Sequence, residues 1–246
     1  MVLTENQYHG MANDGFTTFE GLFPADRMYS LCEQIEDITN RHETDMKTRG
    51  GSEGISRVDE IVFTAHLAEQ NEAILAFCRG PHLAKIVQEL LGKDTDLYWN
   101  QSVYKKPDGE REFPWHQDDG YTPVVPSPYL TVWLAINDAT LENGCIHVIP
   151  GSHQGGLRRH DPTPIGLQCE IGANDKAAVP VPLKAGSLAV FWSLTVHKSG
   201  INRSLLTRKA FIMQYCPAGL RFAKTGEEVP NLRSVTRNGI VVSDSK

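Results

Sequence analysis

The sequence changes character near residue 97, and this change constrains the fold more than any other feature. From there to about residue 216, short runs rich in β-branched and aromatic residues alternate with clusters of Gly, Pro, Asn and Asp. Runs of this length, separated by turn-forming residues, are typical of the strands of antiparallel sandwiches and barrels. The clearest of them are LYWNQSVY, LTVWLAIND, CIHVIP, SLAVFW and KAFIMQYC.

Helical periodicity dominates the chain before this region. Apolar residues recur at helical spacing over residues 25–46, again from about Thr64 to Cys78, and again from Pro81. Gly92 stands where a helix C-terminal cap belongs. Outside these helices, the pattern predicts a short strand at residues 16–23, and the glycine-rich stretch RGGSEG predicts a loop.

Helices followed by many short strands predict a mostly β fold with flanking helices. We expect a double-stranded β-helix core (jelly-roll, cupin-like) with an N-terminal helical layer. The expected organisation is a single domain over residues 1–246, with the jelly-roll core at about 95–218 and the helices at about 25–92. Residues 154–185 have little pattern and predict a long loop, which in a compact domain is often functional.

Bulk composition argues against several classes of function. The net charge of −6 and the absence of any Lys/Arg-rich run do not suit a nucleic-acid-binding protein. No stretch approaches the roughly 18 consecutive apolar residues of a membrane span, and the first residues do not resemble a signal peptide. The five cysteines are odd in number and form no CxxC pair, so reduced thiols in a cytoplasmic protein are expected.

The sharpest local motif is Trp115-His116-Gln117-Asp118. In a strand, residues i and i+2 face the same side, so His116 and Asp118 would point together into the barrel. His197, just after the apolar run SLAVFW, is the best candidate for a third ligand. Two histidines and one carboxylate are typical of non-haem Fe(II) oxygenases. A His-x-Asp pair alone is weak evidence, however, and a hydrolytic zinc site has a similar ligand set.

Arg208 favours iron over zinc. If the chain turns at SGINRS, His197 and Arg208 lie on neighbouring strands and converge on one cavity. A guanidinium there could bind a carboxylate through two parallel hydrogen bonds. A dicarboxylate co-substrate could then reach from the metal to Arg208, whereas a zinc hydrolase needs no such partner. Without the three metal ligands, the default interpretation of Arg208 would be a solvated strand end.

Three stretches resemble the phytanoyl-CoA dioxygenase family of Fe(II)/2-oxoglutarate-dependent oxygenases, and the likeness covers roughly residues 14–218. The stretches are KKPDGEREFPWHQDDGY, LTVWLAINDATLENGCIHVIPGSH and GSLAVFWSLTVHKSGINRSLLTRKAF. Within them, DATLENGCIHVIPGSH is far more specific than a His-x-Asp pair. The resemblance implies Fe(II), 2-oxoglutarate and O2 as cofactors. It also implies His116, Asp118 and His197 as catalytic metal ligands and Arg208 as the residue that binds 2-oxoglutarate.

The resemblance carries two further implications about the site. It assigns Lys105, in the K-x-P stretch, a role in co-substrate binding, and Gln101 shares its strand parity. An ordinary exposed strand face is the alternative for both residues. Related halogenases replace the carboxylate ligand with a small residue. Because this sequence keeps Asp118, the resemblance implies hydroxylation or another oxidation rather than halogenation.

The expected reaction is hydroxylation of an unactivated C–H bond in a small-molecule metabolite or natural-product intermediate, with release of succinate and CO2. Two alternatives stay open: desaturation, ring closure or epimerisation at the same iron site, and a non-catalytic metal-binding jelly roll that serves as a sensor or scaffold. The expected partner is a small-molecule substrate, with no nucleic acid or membrane. Candidate substrate-lining residues are Arg57, Gln117, Tyr121, Trp192 and Ser193; Arg57 could close over a substrate anion as part of a lid.

Overall fold

Two large antiparallel β-sheets, two short two-stranded sheets and a layer of helices make up the fold of the described residues. The computed structural model describes residues 3–107 and 110–242, without the side chains of residues 174 and 175; residues 108 and 109 of the KKPDGE stretch lie outside the described residues. The helices are α1 (Glu5–His9), α2 (Ala25–Thr48), α3 (Leu67–Gln70), α4 (Glu72–Cys78) and α5 (Pro81–Leu91). The strands are β1 (Phe16–Phe19), β2 (Ser52–Glu53), β3 (Ser56–Arg57), β4 (Ile61–Ala65), β5 (Thr95–Lys105), β6 (Phe113–His116), β7 (Val124–Val125), β8 (Leu130–Ala135), β9 (Ile146–Val148), β10 (His160–Thr163), β11 (Gly166–Cys169), β12 (Val179–Val181), β13 (Leu188–Trp192), β14 (His197–Ser199), β15 (Arg208–Pro217), β16 (Arg221–Phe222), β17 (Arg233–Arg237) and β18 (Ile240–Val241).

The larger sheet has ten strands. Eight of them run in the order β1-β13-β8-β15-β5-β4-β3-β2, while β17 pairs with the first residues of β5 and β18 pairs with β17. Arg208 of β15 stands opposite Lys105 of β5 in the register. Strands β1 to β4 and β17 to β18 come from outside residues 95–218, so the sheet extends beyond the segment expected to hold the core.

The smaller sheet has the strand order β12-β9-β14-β6. In it, His197 stands between His116 of β6 and Val148 of β9. Successive residues of a strand face opposite sides. Every second side chain of the larger sheet therefore faces the smaller sheet, and together they form an inner core. That core includes Trp133, Ala135, Cys145, Ile146, Val148, Ala189, Phe191 and Ala210. The predicted mostly β jelly-roll fold with an N-terminal helical layer is confirmed.

The outer face of the larger sheet is covered by helices. Apolar residues of α2, α4 and α5 pack there against strand residues of the opposite parity, including Leu97, Val132 and Phe211. Helix α5 begins with Pro81 at its first turn and ends before Gly92, which has a positive φ of 103°. Within the described residues, no helix combines the length and the apolar character needed to cross a membrane.

Two sequence expectations about local structure are wrong. The helix expected from about Thr64 begins later: Thr64 and Ala65 end β4, because β-branched residues there pair with β5, and His66 turns the chain with a φ of 60°. The loop expected at residues 154–185 contains the β10–β11 hairpin and strand β12. Short, polar strands such as these lack the apolar alternation on which strand prediction depends.

Candidate active site

Three candidate metal ligands meet at the inner face of the smaller sheet. His116 ends β6, Asp118 begins a short 3-10 turn, and His197 begins β14. Gln117 is extended (φ −114°, ψ 140°), so His116 and Asp118 face the same side although the strand ends between them. Asp118 Oδ1 lies 3.7 Å from Nε2 of each histidine, and the three ligand atoms all lie within 4.8 Å of one another.

The second polar atom of each of these side chains is already bonded within the protein. The contacts are His116 Nδ1 to the carbonyl of Pro114 (2.8 Å), His197 Nδ1 to the carbonyl of Thr195 (2.9 Å) and Thr131 Oγ1 to Asp118 Oδ2 (2.6 Å). An imidazole that donates from Nδ1 to a carbonyl keeps its Nε2 lone pair free for a metal. Burial, together with the neighbouring His197, lowers the pKa of His116 well below its ordinary value, so its ring stays neutral. The donor set therefore fits Fe(II).

Arg208 lies at the start of β15 and is buried, with 1% of its surface exposed. None of its three guanidinium nitrogens has a hydrogen-bond partner among the described residues, and its Cζ lies 5.2 Å from the centre of the Trp133 ring. Burial lowers its pKa to about 10, which leaves the side chain a cation at neutral pH. A buried cation without an ion partner is unfavourable, so this side chain fits an anionic ligand such as a carboxylate.

His197 and Arg208 do not lie on neighbouring strands of one sheet, as the sequence suggested. Strand β14 belongs to the smaller sheet and β15 to the larger one, because the chain crosses between the sheets after residue 199. Both residues nevertheless line the same cavity, which has a volume of about 350 Å³. This volume is at the lower end of the range for small-molecule sites.

The remaining lining of the cavity is mostly aromatic and apolar. It includes Ile55, Phe63, Tyr98, Trp99, Gln101, Phe113, Tyr121, Tyr129, Trp133, Phe191, Ile212 and Gln214. Gln101 therefore lies in the cavity. Lys105 does not line it: its Nζ contacts the Ser199 hydroxyl and the backbone carbonyls of Ser199 and Gly200.

Of the five candidate substrate residues, Tyr121 lines the cavity, where its ring lies 5.7 Å from that of His116. Arg57 donates to the carbonyls of three residues of two hairpins: Gly54, Ser56 and Pro164. The other three candidates bond within the protein. Trp192 Nε1 donates to the carbonyl of Met11, Ser193 Oγ accepts from the Tyr129 amide, and Gln117 bonds the segments around residues 156 and 194.

Sequence reasoning missed Thr131 and Trp133, which contact Asp118 and Arg208 respectively. Both lie on β8 and share one parity, so they face the cavity together. A usable signal was present, since Thr131 is the sole polar residue of the run LTVWLA.

The structure explains why the stretch DATLENGCIHVIPGSH is so specific. Asn143 Oδ1 accepts from the Thr140 amide and closes the turn before β9. Gly144 follows with a φ of 83°, and a Cβ there would lie 2.4 Å from the carbonyl oxygen of Gly200. This close approach brings β9 beside β14, the strand that carries His197.

Comparisons with known proteins identify the family of this chain. The phytanoyl-CoA dioxygenase (PhyH) family model matches residues 11–210. The peroxisomal phytanoyl-CoA dioxygenase of Rattus norvegicus is 26% identical over 235 residues, which cover 87% of this chain and 68% of that protein. Phytanoyl-CoA dioxygenase domain-containing protein 1 of Bos taurus is 26% identical over 257 residues, covering 85% and 88% respectively.

Two solved structures share the fold at low sequence identity. The non-heme alpha ketoglutarate-dependent carbocyclase SnoK of nogalamycin biosynthesis has a TM-score of 0.75 at 19% identity, covering 95% of this chain and 97% of its own. The epimerase SnoN, solved with Fe3+, alpha ketoglutarate and nogalamycin RO, has a TM-score of 0.69 at 18% identity, covering 98% and 96%. Matched over most of its length, the chain belongs to the phytanoyl-CoA dioxygenase family of iron- and 2-oxoglutarate-dependent oxygenases.

Proposed function

We propose that this enzyme hydroxylates a C–H bond of a small, largely uncharged molecule, converting 2-oxoglutarate and O2 to succinate and CO2 with one oxygen atom entering the product. The observation that carries the proposal is the pairing of two features in one cavity. One is a set of two histidines and one aspartate with metal-ligand spacing, and the other is the buried guanidinium of Arg208, which has no hydrogen-bond partner among the described residues. A metal site of another kind would have no need for that cation.

In this proposal each residue has a defined role. His116 Nε2, His197 Nε2 and Asp118 Oδ1 hold the iron, which when bound supplies the oxidation of 2-oxoglutarate and of the substrate. Arg208 binds the distal carboxylate of 2-oxoglutarate through its unpaired nitrogens, and Gln101 lies within the same cavity. The aromatic wall excludes water and orients the substrate, with Tyr121 beside His116.

The charges that line the cavity favour an uncharged substrate. Besides the three metal ligands and Arg208, Lys198 is the charged residue among the described lining. Its Nζ donates to Glu112 Oε2 at 2.8 Å and lies over the Trp115 ring. No unpaired cation is therefore left in this lining for a substrate phosphate or carboxylate. The 350 Å³ volume also suits a small molecule better than a complete coenzyme A thioester.

Desaturation, ring closure and epimerisation use the same iron site, and the SnoK and SnoN structures share this fold. These reactions differ from hydroxylation in how the substrate is held, and they are outcomes of the test below. A sensor or scaffold without oxygenase activity would not need the buried cation of Arg208. We also propose that the chain forms one catalytic domain with a small-molecule substrate, because strands as far apart in the chain as β1 and β18 belong to the larger sheet.

The test is succinate release by the full chain with Fe(II), 2-oxoglutarate and O2 across a panel of neutral and anionic metabolites, followed by mass spectrometry of the product. A gain of one oxygen atom by a neutral compound supports the proposal. Loss of two hydrogen atoms, or an isomer of unchanged mass, overturns hydroxylation in favour of desaturation, ring closure or epimerisation.

Two variants test the site itself, with Tyr29→Ala as a control because Tyr29 is 70% exposed on the surface. His116→Ala should abolish both metal binding and turnover, and Arg208→Ala should weaken 2-oxoglutarate binding. Retained metal binding in His116→Ala would overturn the ligand assignment. An unchanged 2-oxoglutarate affinity in Arg208→Ala would overturn the co-substrate assignment.

A further inference from the structure

Gln117 stands between two of the candidate metal ligands, but its side chain does not line the cavity. It is fully buried, with an exposed fraction of 0%. Its Nε2 donates to the carbonyls of Gly156 (2.9 Å) and Leu194 (2.7 Å), and its Oε1 accepts from the amide of Arg158 (2.7 Å). The side chain therefore uses both its donor and its acceptor atoms on the backbone of two other chain segments.

The bond to Leu194 connects the two segments that carry all three ligands. Leu194 precedes Thr195, whose carbonyl accepts from His197 Nδ1. A second bond runs in parallel, since the amide of Asp119 donates to the carbonyl of Ser193 at 3.3 Å. The turn that holds Asp118 is thus bonded to Ser193 and Leu194, which directly precede Thr195, the residue that accepts from the His197 ring.

The backbone of Gln117 is held from the outside by the same segment that contains Gly156 and Arg158. Its amide donates to Nε2 of His160 at 3.0 Å, and His160 Nδ1 lies 2.9 Å from the carbonyl of Arg158. The His160 ring packs against Gly120, where a Cβ would lie 2.5 Å from the ring. Residues 156–160 therefore pack against the turn after His116, and Gln117 contacts this segment through Gly156, Arg158 and His160 and also contacts Leu194.

We propose that Gln117 is a positioning residue for the metal site. Its side-chain amide fixes the distance between the turn that carries Asp118 and the segment that carries His197. This inference rests on the ligand assignment made in the proposed function. Residues that hold metal ligands in place through hydrogen bonds typically change metal affinity by about 10- to 100-fold when they are replaced. We expect a loss in that range on replacement of Gln117, with the fold retained.

The experiment is a titration of the full chain with Co(II) alone, followed by isothermal calorimetry and by the visible absorption of the bound metal. Gln117→Glu keeps the size of the side chain but replaces the Nε2 donor with a carboxylate oxygen that cannot donate to the two carbonyls. Asn100→Asp is the matched control. Asn100 is also 0% exposed, its Oδ1 accepts from the Ala68 amide, and its Nδ2 donates to Glu69, on the helix-covered face of the larger sheet.

We expect wild type and Asn100→Asp to bind one Co(II) with the same affinity, and Gln117→Glu to bind it 10- to 100-fold more weakly with an altered absorption spectrum at saturation. A folded Gln117→Glu that binds within twofold of wild type, with the same spectrum, overturns the inference. Failure of wild type to bind Co(II), or equal binding by His116→Ala, overturns the ligand assignment instead. If Gln117→Glu does not fold, Gln117→Met removes the same bonds without adding a charge; if neither folds, the residue serves folding and the proposal is rejected.

Discussion

The two polar ends of the cavity differ in whether the protein supplies hydrogen-bond partners for their buried side chains. At the end with the candidate metal ligands, Nδ1 of each histidine is bonded to a backbone carbonyl, and Oδ2 of Asp118 is bonded to Thr131. At the other end, Arg208 is also buried, yet its guanidinium nitrogens have no hydrogen-bond partner among the described residues. The protein supplies the hydrogen-bond partners at one end, and in the proposed function 2-oxoglutarate supplies them at the other.

A second buried cation makes the contrast sharper. Lys105 stands directly opposite Arg208 in the strand register, and both side chains are at most 2% exposed. Lys105 Nζ contacts the hydroxyl of Ser199 and the carbonyls of Ser199 and Gly200, so it joins the larger sheet to the end of β14. Two adjacent cations of similar burial therefore differ in their contacts, and we propose that Lys105 stabilises the fold while Arg208 binds an anion.

The largest expected effect follows from replacing the unpaired cation. Arg208→Met should lower the affinity for 2-oxoglutarate by at least about 100-fold, because a charge-assisted bidentate contact to a carboxylate is lost in a buried site. The metal end does not depend on Arg208, so Co(II) affinity should stay within about twofold of wild type. Calorimetric titrations of each ligand check both values. A parallel loss of metal and 2-oxoglutarate binding would show that the two ends are not independent.

The next effect concerns stability without ligand, and it has opposite signs for the two cations. Arg208→Met should leave the free energy of unfolding unchanged or raise it, because it removes a buried charge that makes no hydrogen bond. Lys105→Met should lower it by about 2 kcal/mol or more, because the carbonyls of Ser199 and Gly200 lose a charged donor. Urea unfolding of the ligand-free proteins measures both. Destabilisation of both variants by the same amount would remove the distinction drawn between these residues.

A smaller effect is expected at the metal end. Thr131→Val keeps the shape of the side chain and removes the hydroxyl that donates to Asp118 Oδ2 at 2.6 Å. The freed carboxylate should rotate more easily and lower Co(II) affinity by about 10-fold, with little change in the contribution of Arg208 to 2-oxoglutarate binding. Thr17→Val is a suitable control, since Thr17 is also buried but belongs to β1 at the edge of the sheet. Equal Co(II) affinity in Thr131→Val and wild type would contradict the role of the hydroxyl.

The sequence predicted the part of this site that depends on local spacing. The His-x-Asp motif works because two residues of extended chain face one side, and this relation survives even though β6 ends at His116. The alternation of apolar and turn residues likewise predicted the strands and the jelly roll. Arg208 could be selected once three candidate ligands define a cavity. An arginine at the start of a strand that faces such a cavity is unusual, because arginine is rarely buried without a partner.

What the sequence could not supply was pairing between distant segments. Strands β14 and β15 lie in different sheets because the chain crosses from one sheet to the other between them. No periodic pattern in the turn SGINRS indicates this crossing. Gln117 was assigned to the substrate for a similar reason. Its bonds run to residues 156, 158 and 194, and only the folded chain brings these residues beside it. Strand parity indicates which side a residue faces, but it does not identify the segments packed there.

The smallest expected effect tests the hydrogen-bond network of the metal end through pH. Burial lowers the pKa of His160 below its ordinary value of 6.5, and its Nε2 must stay unprotonated to accept from the Gln117 amide. Above pH 6.5 the ring is neutral in both the folded and unfolded chain, so its contribution to stability is complete. Below pH 6.5 the unfolded chain binds the proton first, so that contribution is lost as the pH falls toward the lowered pKa of the folded state.

Thermal unfolding between pH 8 and pH 5 should therefore show a smaller loss of Tm on acidification in His160→Gln than in wild type, by no more than a few degrees because the ring is partly exposed to solvent. Arg208→Met should follow the wild-type slope, since burial leaves the pKa of Arg208 at about 10, far above this range. Equal slopes in wild type and His160→Gln would show that the outer contacts of the metal end do not depend on this ring. A shallower slope in Arg208→Met would show that the unpaired cation influences the histidines across the cavity, and that the two ends are coupled electrostatically after all.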